Sequence, residues 1–234
     1  MTGPHDDQPL LSAGAPLADA PAAVVLVHGR GDSAQGILGL AREFDRPGLA
    51  YLAPQAAGGA WYPNSFLAPN EANEPGLSSG VRAVMNAVAR AEEAGVPRER
   101  IVIGGFSQGA CLATETAARH AGRWGGVFAL SGGLIGTGPG APDAPRLPGM
   151  GGTYAEKAFD YDGDFDGTPV FLGCSDVDPH IPLRRVETTA ETFRQLGADV
   201  DARVYAGFGH TVNLDEVEAV RAMLDAVASA GPTA

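Results

Sequence analysis

Apolar and polar positions alternate in two registers along this 234-residue chain. The continuous β-branched and apolar run 24–27 has the pattern of a strand covered on both faces of a parallel sheet, and further strands are predicted at 49–53, 101–103, 127–130, 170–172 and 200–205. Between them lie segments with apolar residues at helical spacing. The first, 33–44, carries Ile37, Leu38, Leu40, Ala41 and Phe44 before Pro47-Gly48 breaks it, and the second, 77–94, carries Val81, Val84, Met85 and Val88 and ends at Gly95. Further helices are predicted from the turn at Ser107 to about His120, over 183–196 with Gly197 after it, and over 214–228. Strands alternating with helices, without an internal repeat, predict an α/β fold with a doubly wound, mostly parallel sheet flanked by helices.

Three segments depart from this rhythm. Residues 1–21, rich in Pro, Ala and Asp, read as a tail with at most one short edge strand, where no chemistry is expected. The connection 55–75 holds Trp61, Tyr62 and Phe66, too long and too aromatic for a passive turn, and reads as a pocket wall. The stretch 136–168, dense in Gly, Pro and Asp, reads as a surface insertion in a single domain spanning 22–234.

Composition narrows the function classes. A formal charge of −12 repels phosphate backbones, so nucleic acid is not an expected partner. Lys157 is the sole lysine among 16 basic residues, a bias suggesting a GC-rich genome and, more weakly, adaptation to salt. The N-terminal ten residues lack the basic start and apolar run of an export signal, and no apolar run approaches the roughly 20 residues of a membrane span. Cys111 and Cys174 fall at a helix start and a strand end without a partner by spacing, so a disulfide is not expected and a reducing cytoplasm is the expected location. Cys174 reads as a small buried residue, with a reactive thiol as its alternative.

The chemistry begins at Gly105-Phe106-Ser107-Gln108-Gly109. In G-x-S-x-G the glycines permit a sharp strand-to-helix turn that lifts the serine hydroxyl above the C-terminal edge of the sheet. Here the motif follows the strand 101–103 and precedes a helix, the context of a nucleophile in an α/β-hydrolase fold. A serine hydroxyl needs a base to take its proton. Of five histidines, His5 lies in the tail, His28 in the first Gly-rich turn and His120 at a helix end. His180 comes early and sits beside the acid, whereas His210 follows the last strand in Gly207-Phe208-Gly209-His210 and fits the order Ser, acid, His. Both Asp176 and Asp178 follow the fifth core strand. Asp178 is preferred because it lies deeper in the loop, before a proline.

The main-chain N–H groups of Arg30 and Gln108 occupy the places expected of an oxyanion hole. For the Arg30 side chain, contact with an acidic substrate group and simple solvation are equal alternatives. Trp61, Tyr62 and Phe66 suit either substrate packing or the core. At 162–167 the first half of an EF-hand-like loop appears, but Gly173 stands at its twelfth position, so no metal is expected there.

With these residues assembled, the chain resembles the phospholipase/carboxylesterase branch of the α/β-hydrolases, which includes acyl-protein thioesterases and bacterial carboxylesterases. The carriers are VLVHGRGDS, APQ at 53–55, GFSQGA, LSGGL, DPHIP and GFGH, spread over nearly everything from Val24 onward. The resemblance implies Ser107 as nucleophile, Asp178 as acid, His210 as base, and the Arg30 and Gln108 N–H groups as oxyanion donors. It implies hydrolysis of a small-molecule ester without a cofactor. Arg30 replaces an apolar residue common in the thioesterase members, and WYPNSFLAPNEANEP looks more like the bacterial carboxylesterases, which favours small esters over long acyl chains. The alternatives are a thioesterase or lysophospholipase on long chains and, from another class, a binding protein on an inactive scaffold. A homodimer has no signal for or against it beyond aromatics near the pocket.

Overall fold

A computed structural model describes residues 3–44, 46–138 and 157–229. It contains one seven-stranded sheet in the order β1-β3-β2-β4-β5-β6-β7. The strands are β1 (Leu10–Gly14), β2 (Ala23–Val27), β3 (Ala50–Pro54), β4 (Ile101–Phe106), β5 (Gly126–Leu130), β6 (Pro169–Ser175) and β7 (Asp199–Tyr205). All neighbouring pairs are parallel except β1 with β3, which closes one edge antiparallel. Parallel pairing demands crossovers. Four of these carry helices: α1 (Ala34–Ala41) joins β2 to β3, α2 (Gly76–Glu93) joins β3 to β4, α3 (Gln108–Arg119) joins β4 to β5, and α4 (Leu183–Gln195) joins β6 to β7. Helix α5 (Leu214–Ser229) follows β7.

The two faces follow from the period of two in a strand. Val25, Val27, Ile101, Ile103, Val127 and Ala129 point to the face covered by α2, α3 and α4. Their neighbours Val24, Leu26, Val102, Phe128 and Leu130 point to the opposite face, where Ile37 and Leu38 of α1 and Val220, Leu224 and Val227 of α5 close over them. Every residue of β2, β3 and β5 is buried, which is why these strands read as continuous apolar runs.

Several boundaries differ from the sequence expectation. Helix α1 ends at Ala41 rather than at Phe44, because Arg42, Glu43 and Phe44 close with tighter i to i−3 bonds. Strand β4 continues three residues beyond Ile103 to Phe106, through two glycines whose apolarity cannot mark a strand. The tail supplies the one short edge strand allowed for it, β1 pairing with β3 over five residues; beyond that expectation, His5 is buried against the connection between β3 and α2. Of the insertion expected at 136–168, residues 139–156 lie outside the described residues; its flanks meet at a bridge between Thr137 and Ala158.

Chain order sets where a site can form. From β2 the chain moves outward to β3 and then returns to the other side of β2 as β4. Such a reversal opens a crevice beyond the C-terminal ends of β2 and β4. Arg30 follows β2 and Ser107 follows β4.

Candidate active site

Ser107 sits in the turn between β4 and α3 with φ 57° and ψ −123°, a conformation that L-residues avoid. The glycines on either side make it possible. A Cβ on Gly105 would lie 2.3 Å from the Val27 carbonyl oxygen, and one on Gly109 would lie 2.0 Å from the same atom. Both must lack a side chain so that the turn can pack on the end of β2. The Ser107 N–H donates to Leu130 O at 2.9 Å, tying the turn to β5 as well.

The hydroxyl thus raised meets His210. Ser107 Oγ lies 2.8 Å from His210 Nε2, and His210 Nδ1 lies 2.7 Å from Asp178 Oδ2. With a carboxylate accepting at Nδ1, that nitrogen carries the proton and Nε2 is the acceptor for the serine O–H. Asp178 Oδ1 accepts from the N–H groups of His180 at 2.8 Å and Ile181 at 3.0 Å. Burial by itself would raise this carboxyl, but the hydrogen bonds from His210, His180 and Ile181 outweigh it and hold its pKa below the ordinary carboxylate value. The Phe106 ring covers one side of the imidazole with centroids 4.9 Å apart, and His180, exposed, meets it edge-on at 4.8 Å.

Asp176, the other candidate acid, accepts from the Gly207 N–H at 2.7 Å and so braces the histidine loop. Ser175, which the sequence reading passed over, does more. Its hydroxyl oxygen accepts from the N–H groups of Val177 at 3.2 Å, Phe208 at 3.1 Å and Gly209 at 3.0 Å, joining the loop that carries Asp178 to the loop that carries His210. A serine at a strand end gives no sequence signal of such a role.

The turn after β2 lies beside the nucleophile: a Cβ on Gly29 would meet Ser107 Cβ at 3.5 Å. Among the described residues neither the Arg30 nor the Gln108 main-chain N–H has a protein acceptor. The Arg30 side chain is exposed, but it is not simply solvated. Its guanidinium donates to three main-chain carbonyls, Nη1 to Pro63 O at 3.0 Å and Nη2 to Tyr62 O and Asn64 O, each at 2.7 Å. The Gln108 side chain grips the same segment, accepting from Trp61 N at 2.9 Å and donating to Tyr62 O at 2.9 Å.

Of the two readings for Trp61, Tyr62 and Phe66, burial favours the core. These residues are 0%, 2% and 5% exposed and belong to the core under α2 and α3, so packing is what these rings supply. Segment 61–64 meets the Arg30 and Gln108 side chains with its main chain. His5 and His28 support it from beneath. His5 Nδ1 accepts from Ala57 N at 3.0 Å while Nε2 donates to Trp61 O at 2.9 Å, and the Trp61 indole N–H donates to His28 O at 2.9 Å. Nothing in a histidine five residues from the start of the chain signals this contact. His120 caps the end of α3.

The remaining candidates are accounted for by packing. Cys111 and Cys174 are free and buried, and burial pushes each thiol up to about 12. At the EF-hand-like segment, Asp164 Oδ1 accepts from Asp166 N at 2.8 Å, a turn-forming bond, and no group of metal-ligating side chains assembles among the described residues. No helix among the described residues is long and apolar enough to cross a membrane.

A serine on a strained strand-to-helix turn, at the C-terminal edge of a mostly parallel sheet, with a histidine and an aspartate on later loops, defines a serine hydrolase of the α/β-hydrolase fold. The comparisons with known proteins give the family. Residues 14–139 match the phospholipase/carboxylesterase family, and the chain belongs to it. It is 30% identical over 226 residues to acyl-protein thioesterase 1 of Eremothecium gossypii, covering 87% of this chain and 88% of that protein. It is 28% identical to acyl-protein thioesterase 1 of Gibberella zeae, covering 85% and 88%. The crystal structure of a phospholipase/carboxylesterase from Dyadobacter fermentans superposes with a TM-score of 0.80 at 37% identity, covering 93% of this chain and 96% of that one. The protein is therefore a hydrolase of the esterase and thioesterase kind. The family match contains Ser107, Arg30 and Gln108 but stops short of Asp178 and His210, whose assignment rests on geometry.

Proposed function

We propose that the protein is a serine carboxylesterase that hydrolyses small carboxylic esters through an acyl-enzyme. The observation that carries this reading is the unbroken hydrogen-bonded chain Ser107 Oγ, His210 Nε2, His210 Nδ1, Asp178 Oδ2, with links of 2.8 and 2.7 Å. Ser107 Oγ attacks the ester carbonyl as His210 Nε2 takes its proton, and Asp178 stabilises the imidazolium. The carbonyl oxygen becomes an oxyanion and is received by the N–H groups of Arg30 and Gln108. Collapse expels the alcohol, which takes the proton from His210. Water, deprotonated by the same histidine, then attacks the acyl-serine and releases the acid.

Small esters are favoured because the rings of Trp61, Tyr62 and Phe66, against which a long acyl chain could pack, are buried in the core. The second reading, a thioesterase on longer chains, has its support in relatives named acyl-protein thioesterase at 28% and 30% identity. A p-nitrophenyl ester series from acetate to palmitate separates the two. A kcat/KM maximum at acetate to butyrate is the expected result, and a maximum at long chains transfers the assignment to the second reading. Two free, buried cysteines are consistent with a reducing cytoplasm as the working location.

A further inference from the structure

We infer that Arg30 is a positioning residue for the oxyanion hole, acting through the main chain of segment 61–64 and not through contact with substrate. The inference rests on the assignment of the Arg30 and Gln108 N–H groups as oxyanion donors.

The two proposed donors come from different parts of the chain, one after β2 and one at the start of α3. Their side chains converge on one peptide segment. Tyr62 O accepts from Arg30 Nη2 at 2.7 Å and from Gln108 Nε2 at 2.9 Å, so a single carbonyl joins both donors. Arg30 adds Pro63 O and Asn64 O, and Gln108 adds Trp61 N, which leaves each residue from Trp61 to Asn64 engaged through its main chain.

This segment is a fixed frame. Trp61 O is held by His5, the buried Trp61 indole holds His28 O two residues before Arg30, and Gly31 N donates to Gly59 O at 2.7 Å just after it. At the far end Asn64 N donates to the side chain of buried Asn73 at 2.9 Å. An arginine held by a frame of this kind fixes its own peptide, and with it the direction of its N–H.

The residue type matters. A guanidinium is a rigid planar fork that can meet three carbonyls at once, whereas an ammonium is a point charge on a flexible stem. Arg30 is exposed and is in none of the ion pairs among the described residues, so the protein groups its guanidinium meets are the three carbonyls. Oxyanion donors contribute through preorganisation: they cost no reorientation when the charge forms. Loosening the clamp should therefore weaken transition-state binding and leave ground-state binding in place.

The test compares Arg30→Met, Arg30→Lys and Ser107→Ala with the unaltered enzyme, using p-nitrophenyl butyrate and an alkyl boronic acid that forms a tetrahedral adduct with the serine. Arg30→Met should lower kcat by about 10- to 100-fold with KM within about threefold, less than the loss of a whole donor. Boronic acid affinity should fall in step with kcat/KM, while inhibition by the product butyrate stays constant. Arg30→Lys keeps the charge and loses the fork, so it should lie close to Arg30→Met; it also decides the matter if Arg30→Met fails to fold. A kcat within about twofold of the unaltered enzyme, or a loss confined to KM, overturns the inference. If Ser107→Ala still hydrolyses the ester, the proposed active site itself is wrong. If Ser107→Ala is inactive and the Arg30 variants are normal, only the clamp is wrong.

Discussion

Asp178 and His210 are joined at 2.7 Å through Oδ2 and Nδ1, while the second carboxylate oxygen of Asp178 is committed to the His180 and Ile181 N–H groups. The carboxylate therefore cannot turn away from the imidazole without abandoning two main-chain donors. Asp178→Asn should leave the loop folded but offer His210 an amide, favouring the wrong tautomer. We expect kcat on p-nitrophenyl butyrate to fall by a factor on the order of 10³ to 10⁴. Asp176→Asn keeps an acceptor for Gly207 N and should stay within about tenfold of the unaltered enzyme, so equal losses would reverse the assignment of the acid.

The two buried acids near the site respond to pH with opposite signs. Asp178 has a lowered pKa, so the stability it contributes is complete above the ordinary carboxylate value and is lost as the pH falls through the lowered one. Glu216 is raised to about 7, chiefly by burial. Its Oε2 accepts from Asn213 N at 2.8 Å, while Asn213 Oδ1 accepts from Glu216 N at 3.0 Å, a reciprocal cap at the start of α5. Its Oε1 is buried without a partner among the described residues. The folded protein thus binds a proton that the unfolded chain has released, and stability should decline as the pH rises from about 4.5 to about 7. Glu216→Gln retains a cap acceptor and should flatten that decline in thermal melts. An unchanged pH profile would show that Glu216 ionises normally in the fold.

Both thiols should be inert in the native protein. Cys174 is 1% exposed, its pKa raised to about 12 by burial and then by the charges of Asp178 and Glu216. A thiol that remains protonated is a poor nucleophile. Titration with a chromogenic disulfide at pH 8 should count no thiols in native protein and both after denaturation. Rapid labelling of Cys174 in the native state would restore its reading as a reactive group.

Gly109→Ala should be more damaging than a glycine-to-alanine change in a helix usually is. The new Cβ would lie 2.0 Å from Val27 O and 2.5 Å from His28 O, both rigid main chain. We expect a loss of more than about 2 kcal/mol in denaturant unfolding, with activity falling as the turns at Ser107 and Arg30 are pushed apart. Gly39 has open space around its Cβ position, and Gly39→Ala should be neutral or slightly stabilising.

What the sequence disclosed, and what it concealed, divides along a physical line. The strands buried on both faces announced themselves because nothing polar is tolerated there, and the meeting of Ser107, Asp178 and His210 was legible because turn sterics and chain order restrict where each can stand. The clamp of Arg30 was not legible. Its partners are carbonyls 32 to 34 residues away, and main-chain acceptors carry no signature in the residue names. The same holds for Ser175 and for His5, which reaches Trp61 across 56 residues. The aromatic connection left two readings open for a related reason: the rings of Trp61, Tyr62 and Phe66 are conspicuous in sequence but equally suited to substrate or core, and only their burial places them in the core.

The central claim is that Ser107 carries the acyl group during turnover. Acid-quenching the enzyme during hydrolysis of p-nitrophenyl butyrate, followed by peptide mass mapping, tests it directly. The expected result is a butyryl ester on the peptide containing Ser107, absent from Ser107→Ala, with hydrolysis by that variant lower by at least about 10³-fold. A butyryl group on another side chain, or turnover undiminished in Ser107→Ala, would contradict the account.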